Sequence, residues 1–401
     1  MGEFEIHRHQ RDIDCAYRLL EKDSGVCAKN RALIYAFARE RLAKGVGKLR
    51  MVKCIYCLRY LSTWHKAPFE TATKDSLLGL VVAIDNEELS PASKSDFRAV
   101  LKLFFKWYKG NDEIFPPEVS WIKTTFKRKH KLPEELLTEE EVFSIAKAAD
   151  NPRDRALVLV LYETGCRIGE IMSLRLKNVQ FDQYGAVLRV TGKTGDRRVR
   201  IISSAPALSA WVQIHALADN PEAPLWPPLS TNRKYHMNIM EYQRVHKLLQ
   251  VLGAKAGVRK RIYPHLFRHS RATALAGKLT EAQMKEYFGW VQASDMASVY
   301  VHLSGRDVDD ALLALQGLKK PDTKTEELMK LRNCPRCQEK NSPIAKFCLR
   351  CGTPMEIQAA IQIEEQKELG DDFINALRQN PKFRDMMYKM AVELGFDKKL
   401  S

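Results

Sequence analysis

Apolar residues recur along residues 1–130 at intervals of three and four. Leu33, Ile34, Phe37, Ala38 and Leu42 mark one such stretch, and Val52, Ile55, Leu58 and Leu61 repeat the spacing over 48–64. A period near 3.6 is that of a helix with one buried face. Ser90 followed by Pro91 reads as a helix start. Serine accepts a backbone N–H bond there, and proline lacks the N–H that would be left unpaired. The helix it opens carries Phe97, Leu101, Phe104, Phe105 and Tyr108 towards Gly110. Phe104, Phe105 and Trp107 are expected in a core rather than on a base-stacking surface.

Two prolines at 116–117 break the pattern. Lys123, Lys127, Arg128, Lys129, His130 and Lys131 then form a basic run, suited to a solvated linker or to a phosphate backbone. A second region opens near Leu137. Thr138 and Glu141 form a capping box ahead of Val142, Ile145 and Ala146. The runs 186–191 and 197–203, joined by a glycine-bounded turn at 192–196, predict two strands. Helical spacing returns over 207–320, with a proline-rich loop at 221–228. A polar linker at 319–324 leads to a cysteine-rich segment, 332–355. Residues 356–399 show two helical patterns, with breaks expected near Gly370 and at 380–381. The chain therefore reads as multidomain. It has a mainly α region 1–130, an α+β region 131–320 with a small antiparallel sheet, a cysteine module 330–355 and a helical tail 356–401.

Composition narrows the function. A length of 401 residues suits two or three domains. The longest apolar run, 77–84, falls far short of the roughly 18 residues a membrane span needs. The charged start MGEFEIHRHQ has no apolar secretion segment, and Ile6 breaks the myristoylation pattern, so a cytoplasmic protein is expected. Lys and Arg outnumber Asp and Glu 65 to 49, a net charge of +16. Such an excess favours polyanionic partners, of which nucleic acid is the commonest large one.

Nine cysteines without a secretion signal point to thiols, packing or metal ligands rather than disulfides. Cys334-x2-Cys337 and Cys348-x2-Cys351 are two knuckles ten residues apart. Four thiolates so spaced close a tetrahedral site around one Zn2+, and they leave no open position, so the predicted ion is structural. A module this small takes its folding energy from the metal. It resembles the zinc ribbons appended to many archaeal and bacterial proteins. Cys54 and Cys57 sit in a helical pattern with no second pair nearby and are read as packing, and Cys166 as buried. Cys15 and Cys27 have no partner in the sequence.

Four short segments carry chemistry. In Glu163-Thr-Gly-Cys-Arg167-Ile-Gly-Glu170 an arginine follows a glycine turn and opens a helix, with Glu170 one turn on and placed to hold it. Gly192-Lys193-Thr-Gly195-Asp196 puts Lys193 at a hairpin tip; it joins two strands and is not a P-loop. In Pro264-His265-Leu-Phe-Arg268-His269, His265 and Arg268 share one helix face. That pair suits a phosphate: the arginine clamps oxygens and the histidine moves a proton. His269 is placed on another face and read as a core or surface residue. Phe288-Gly289-Trp290 is followed, ten residues on from Trp290, by Tyr300-Val301-His302. Tyr287 is read as core.

Arg167, Lys193, His265-x-x-Arg268, Trp290 and Tyr300 stand in the order of the catalytic set of the tyrosine recombinase, or phage integrase, family. The chain resembles that family over 137–318. The helical region before it resembles the family's core-binding domain more loosely, mainly through 90–110. The stretch 288–310 looks most like archaeal members. Trp290 stands where many members have histidine, and its interval to Tyr300 is slightly longer than the common pattern.

The resemblance implies a site-specific DNA recombinase. Arg167 and Arg268 would hold the non-bridging oxygens of a phosphodiester while Tyr300 attacks phosphorus, forming a 3′-phosphotyrosyl link. A phenol with an ordinary pKa of about 10 needs His265, the arginines or both to favour its phenolate. Lys193 would protonate the departing 5′-oxygen, and Trp290 would position the phosphate and pack the pocket. The covalent link keeps bond energy for resealing, so the reaction requires no metal, ATP or NAD. The protein would clamp duplex DNA, with Lys123, Lys127, Arg128, Lys129 and Lys131, and also Arg259, Lys260 and Arg261, along the phosphates. A tetramer on DNA follows by analogy, with 307–317 as a docking helix or an ordinary core helix. Two alternatives stand beside this reading. A type IB topoisomerase shares the tyrosine chemistry but exchanges no partners. A DNA-binding regulator with a dead catalytic fold would not keep all six positions filled by competent residues.

Overall fold

The computed structural model describes residues 9–110, 113–126, 133–192, 195–230, 232, 236–297, 300, 312, 313, 316 and 330–393. The chain divides into two compact units, residues 7–131 and 132–401.

In the first unit the 3.6-residue spacing produces helices. These are α1 (His9–Lys22), α2 (Ala28–Ala43), α3 (Lys48–His65), α4 (Lys74–Asn86), α5 (Pro91–Tyr108) and the single turn α6 (Pro117–Ser120). They enclose one apolar core. Ser90 caps α5, its Oγ accepting the Ser93 N–H at 3.1 Å, and Pro91 follows at the first helical position. Phe104 and Phe105 are buried, and Phe104 meets Phe37 of α2 edge-on. Trp107 also meets Phe37 edge-on and donates its indole N–H to Glu40 at 2.7 Å. Cys54 and Cys57 are buried in this core, and burial pushes the Cys57 thiol up to about 12. Asn30 is buried and bonded at both ends of its amide. It donates to Ser62 Oγ at 2.8 Å and to the Ala67 carbonyl at 3.0 Å, and it accepts the Phe69 N–H at 2.7 Å.

The second unit starts on the Thr138–Glu141 capping box, which opens α7 (Glu139–Lys147). α8 (Pro152–Thr164) is buried on all sides from Ala156 onwards, as an all-round apolar helix must be. The single turn α9 (Ile168–Met172) leads to an antiparallel meander of β1 (Val179–Asp182), β2 (Gly185–Gly192) and β3 (Gly195–Ile201). β1 goes beyond the two strands the sequence predicts. It buries no side chain fully, so it offers no alternation to read. β2 and β3 pair from Ala186↔Ile201 to Gly192↔Gly195. Their inward residues Leu188, Val190, Val199 and Ile201 join α8 in the main core. α10 (Ala205–Gln213), α11 (Tyr242–Lys255), α12 (Pro264–Ala276) and α13 (Glu281–Phe288) follow.

Glu163, at the end of α8, ties this core to the segment after β3. Its carboxylate accepts the N–H groups of Ile202, Ser203 and Ser204 at 2.8, 3.0 and 2.7 Å, and the Ser204 hydroxyl at 2.6 Å. A buried carboxylate needs such a set of donors. The helix end that leads into Arg167 is thereby fixed.

The cysteine module pairs β4 (Arg332–Asn333) with β5 (Lys340–Asn341). Its Ile344 is buried in the main core of the second unit. The tail begins with α14 (Ile357–Gln379), which runs through Gly370; the break expected there is absent. An internal glycine costs a helix about 1 kcal/mol, too little to end it. The break at 380–381 is present. Asn380 Oδ1 accepts the Lys382 N–H at 3.0 Å, and α15 (Pro381–Glu393) starts. Among the described residues no helix is long and apolar enough to cross a membrane.

Candidate active site

Arg167 caps α9, and Glu170 holds it from inside the helix. Glu170 Oε2 accepts the Arg167 backbone N–H and Oε1 accepts its Nη1–H, both at 2.9 Å. A second arginine shares this carboxylate. Arg197 of β3 donates from Nη1 to Oε1 at 3.1 Å and from Nη2 to Oε2 at 2.7 Å. It also reaches the Cys166 sulfur at 3.3 Å and the Tyr287 carbonyl at 3.1 Å. Burial pushes the Glu170 carboxyl up, but Arg197 and Arg167 outweigh it and leave the pKa below the ordinary carboxylate range. β2 runs close by: a Cβ on Gly192 would fall 2.4 Å from Glu170 Oε1, so only glycine fits there.

Arg268 lies on α12 and is buried. It donates to the Gly165 carbonyl at 2.9 Å and to the Phe288 carbonyl at 2.7 Å. Its guanidinium also sits 5.2 Å from the Phe288 ring and 5.5 Å from the Trp290 ring. Arg167 donates to the next carbonyl, Gly289, at 3.4 Å from both Nη atoms. The two guanidinium groups thus converge on the C-terminal turn of α13, where helix carbonyls lack partners and cations are favoured. Gly289 makes that turn with φ +60°, and a Cβ on it would fall 2.7 Å from Arg197 Nη1. Burial first, and then the charge of Arg167, lower the Arg268 pKa to about 10. His265 stands at the open side of the site. The surrounding protein, then Arg268 and Arg167, hold its pKa below the ordinary imidazole value.

Trp290 stacks on Phe288, with centroids 4.9 Å apart, and lies parallel to Tyr300 at 5.6 Å. Tyr300 is buried, which raises its phenol to about 12, with Arg268 acting in the opposite direction. Its oxygen lies 2.5 Å from His269 Nδ1. The His265 and His269 rings meet edge-on, 5.7 Å apart. The expectation that His269 faces elsewhere is therefore corrected. Residues four apart on a helix stand nearly one above the other, so His265, Arg268 and His269 share one arc of α12.

Five of the six candidate residues, Arg167, His265, Arg268, Trp290 and Tyr300, lie in this one site. Lys193 lies outside the described residues, as do 301–311 and most of 307–317. Of the basic residues, Lys123, Arg259 and Arg261 are exposed. Lys260 is engaged within its own unit, donating to the Leu136 carbonyl at 2.6 Å and to Glu141 at 2.7 Å. Lys127, Arg128, Lys129 and Lys131 lie outside the described residues. Tyr287 is a packing residue, its hydroxyl donating to the Glu163 carbonyl at 2.6 Å. Sequence reasoning missed Arg197 and His269. Arg197 had a signal, since it shares the inward parity of Val199 and Ile201 and so required a buried partner.

The four module cysteines cluster at metal-binding distance, all sulfurs lying within 4.8 Å of one another. Cys334 and Cys351 are 3.6 Å apart, and Cys337 and Cys348 3.5 Å. Four thiolates around an ion at roughly 2.3 Å require sulfur separations of about 3.8 Å, so the donor set fits. Backbone Arg336 N–H and the Asn341 amide donate to Cys334 and Cys348 at 3.4 and 3.6 Å, as partners of ligating sulfur do.

Three comparisons bear on this site. The phage integrase family matches residues 135–306. The chain is similar to the tyrosine recombinase XerD of Lacticaseibacillus casei, 29% identical over 227 residues that cover 55% of this chain and 75% of that protein. It is similar also to tyrosine recombinase XerA of Pyrococcus horikoshii, 27% identical over 257 residues covering 63% and 84%. Among solved structures, a lambda integrase tetramer bound to a Holliday junction shares the fold. It has a TM-score of 0.51 and 15% identity, over 67% of this chain and 76% of that one.

Proposed function

We propose that the chain is a site-specific DNA recombinase of the phage integrase family, cleaving and rejoining DNA strands with Tyr300 as its nucleophile and Arg167 and Arg268 cradling the scissile phosphate. The observation that carries this reading is the convergence of both guanidinium groups on the 288–289 turn, next to the Trp290–Tyr300 stack. The surrounding protein first, and then the charge of the neighbouring arginines, hold the pKa values of Arg268 and His265 down. A phosphate would offset that charge, and more so as charge builds on its oxygens in the transition state.

Tyr300 attacks phosphorus and the 5′-oxygen departs, leaving a 3′-phosphotyrosyl link; a 5′-hydroxyl from the partner duplex then reverses the step. Lys193 protonates the departing oxygen, a role taken from the family resemblance alone. Trp290 packs the nucleophile's ring. Arg197 positions Arg167 through Glu170. Lys123, Arg259 and Arg261, together with Lys127, Arg128, Lys129 and Lys131, track the phosphates, and Lys260 braces the segment that presents its two neighbours. The net charge of +16 predicts a steep salt dependence of this binding. Cys334, Cys337, Cys348 and Cys351 hold one structural Zn2+. The assembly is a tetramer exchanging paired strands, as the lambda integrase tetramer on a Holliday junction suggests. The protein works in the cytoplasm on DNA.

The test uses two duplexes bearing one candidate site and different labels. A recombinase joins the label of one to the flank of the other. Relaxation of a supercoiled circle with no joined product would instead identify a topoisomerase.

A further inference from the structure

The hydrogen bond between Tyr300 and α12 goes to His269, a residue outside the assigned catalytic set. His269 Nδ1 stands 2.5 Å from the phenolic oxygen, and the two rings are 6.0 Å apart. Trp290, parallel to the phenol on another side, fixes its ring plane. The phenol is buried, so its proton is costly to remove without a base in contact. His265 stands one turn earlier, edge-on to His269, at the open side of the site.

We propose that His269, rather than His265, takes the phenolic proton as Tyr300 attacks phosphorus. The inference rests on Tyr300 being the nucleophile. The Tyr300 Oη–P bond forms and the P–O5′ bond breaks. The phenolic proton passes to His269 Nδ1, giving an imidazolium, while the departing oxygen takes its proton from a separate acid, Lys193 in the reading above. In the reverse step the 5′-hydroxyl attacks and gives its proton back to that acid, while Tyr300 leaves with the proton His269 returns. With its own proton on Nε2, the neutral ring presents Nδ1 as the acceptor this step needs. His265 is left free to donate to a phosphate oxygen.

The experiment measures the rate of covalent complex formation on a nicked substrate that traps cleavage. The full chain carries His269→Ala or His269→Asn, each with tyrosine or a ring-fluorinated, more acidic tyrosine at position 300. Asparagine keeps a hydrogen bond to the phenol but cannot take its proton. Both variants are expected to slow the reaction about 100-fold with ordinary tyrosine, and less than about tenfold with the fluorinated one. Unimpaired rates, recovery by asparagine, or an equal defect with both phenols would each overturn the proposal. If the alanine variant fails to bind DNA in a band-shift, the asparagine variant decides. A covalent complex that persists in Tyr300→Phe would defeat the underlying reading. Loss of the complex in Tyr300→Phe with wild-type rates in the His269 variants would defeat this inference alone.

Discussion

The indole of Trp290 lies flat along the ring of Tyr300, with planes within 1° and centroids 5.6 Å apart. Both rings are buried with Phe288, Met284 and Ala297 in a small cluster. Tyr300 is thus held by packing as well as by its hydrogen bond. Trp290→Ala should lose about 3 kcal/mol of stability in urea unfolding, because a large buried ring is replaced by a cavity. It should also slow covalent complex formation. Trp290→Phe, which keeps a stacked ring, should lose distinctly less on both counts. Equal losses in the two variants would count against the stacking role.

Glu170 joins Arg167 to Arg197 and is almost fully buried. Glu170→Gln leaves two arginines with half a partner, and breaking a buried pair this way costs about 3 kcal/mol. The pH dependence has a definite sign. The folded carboxyl titrates below its unfolded value. Its contribution is therefore complete above the unfolded pKa of about 4.3 and is lost as pH falls through the folded value. Denaturation across pH 2–6 should show wild type losing more stability on acidification than Glu170→Gln. Parallel curves would contradict the shared-carboxylate account.

His265 is held below the ordinary imidazole value by the surrounding protein, then by Arg268 and Arg167. NMR titration of its ring should find this depression, and Arg167→Gln should reduce it. Inorganic phosphate, by neutralising the arginines, should raise the His265 pKa. An unchanged value in saturating phosphate would argue against an anion site.

Metal removal tests the cysteine cluster. Strong chelator should release one zinc per chain, and Cys348→Ser should abolish its uptake. Ile344 is buried in the main core of the second unit. Loss of the module's fold should therefore lower the thermal midpoint of that unit as well. Full retention of the midpoint on stripping would show the module to be an independent appendage.

What was legible in the chain was local. Ser90 with Pro91, and Thr138 with Glu141, are caps written within four residues, and both form. Arg167 and Glu170 are one turn apart and bond as their spacing implies. The four cysteines declare their cluster by two short intervals. His269 was not legible, because the group that gives it meaning, Tyr300, is 31 residues away. The Arg197 bonds to Glu170 likewise span 27 residues, across a strand and a helix. β1 was hidden for another reason. It is paired on one side and exposed, so its sequence carries no burial pattern.

The central claim is that Tyr300 is the nucleophile of a DNA strand-transfer reaction. The direct test incubates the protein with site DNA carrying a nick that traps cleavage, then adds SDS. The wild type should leave a DNA-linked band that resists SDS and disappears with protease, and Tyr300→Phe should leave none. A covalent complex of equal yield in Tyr300→Phe would contradict the account.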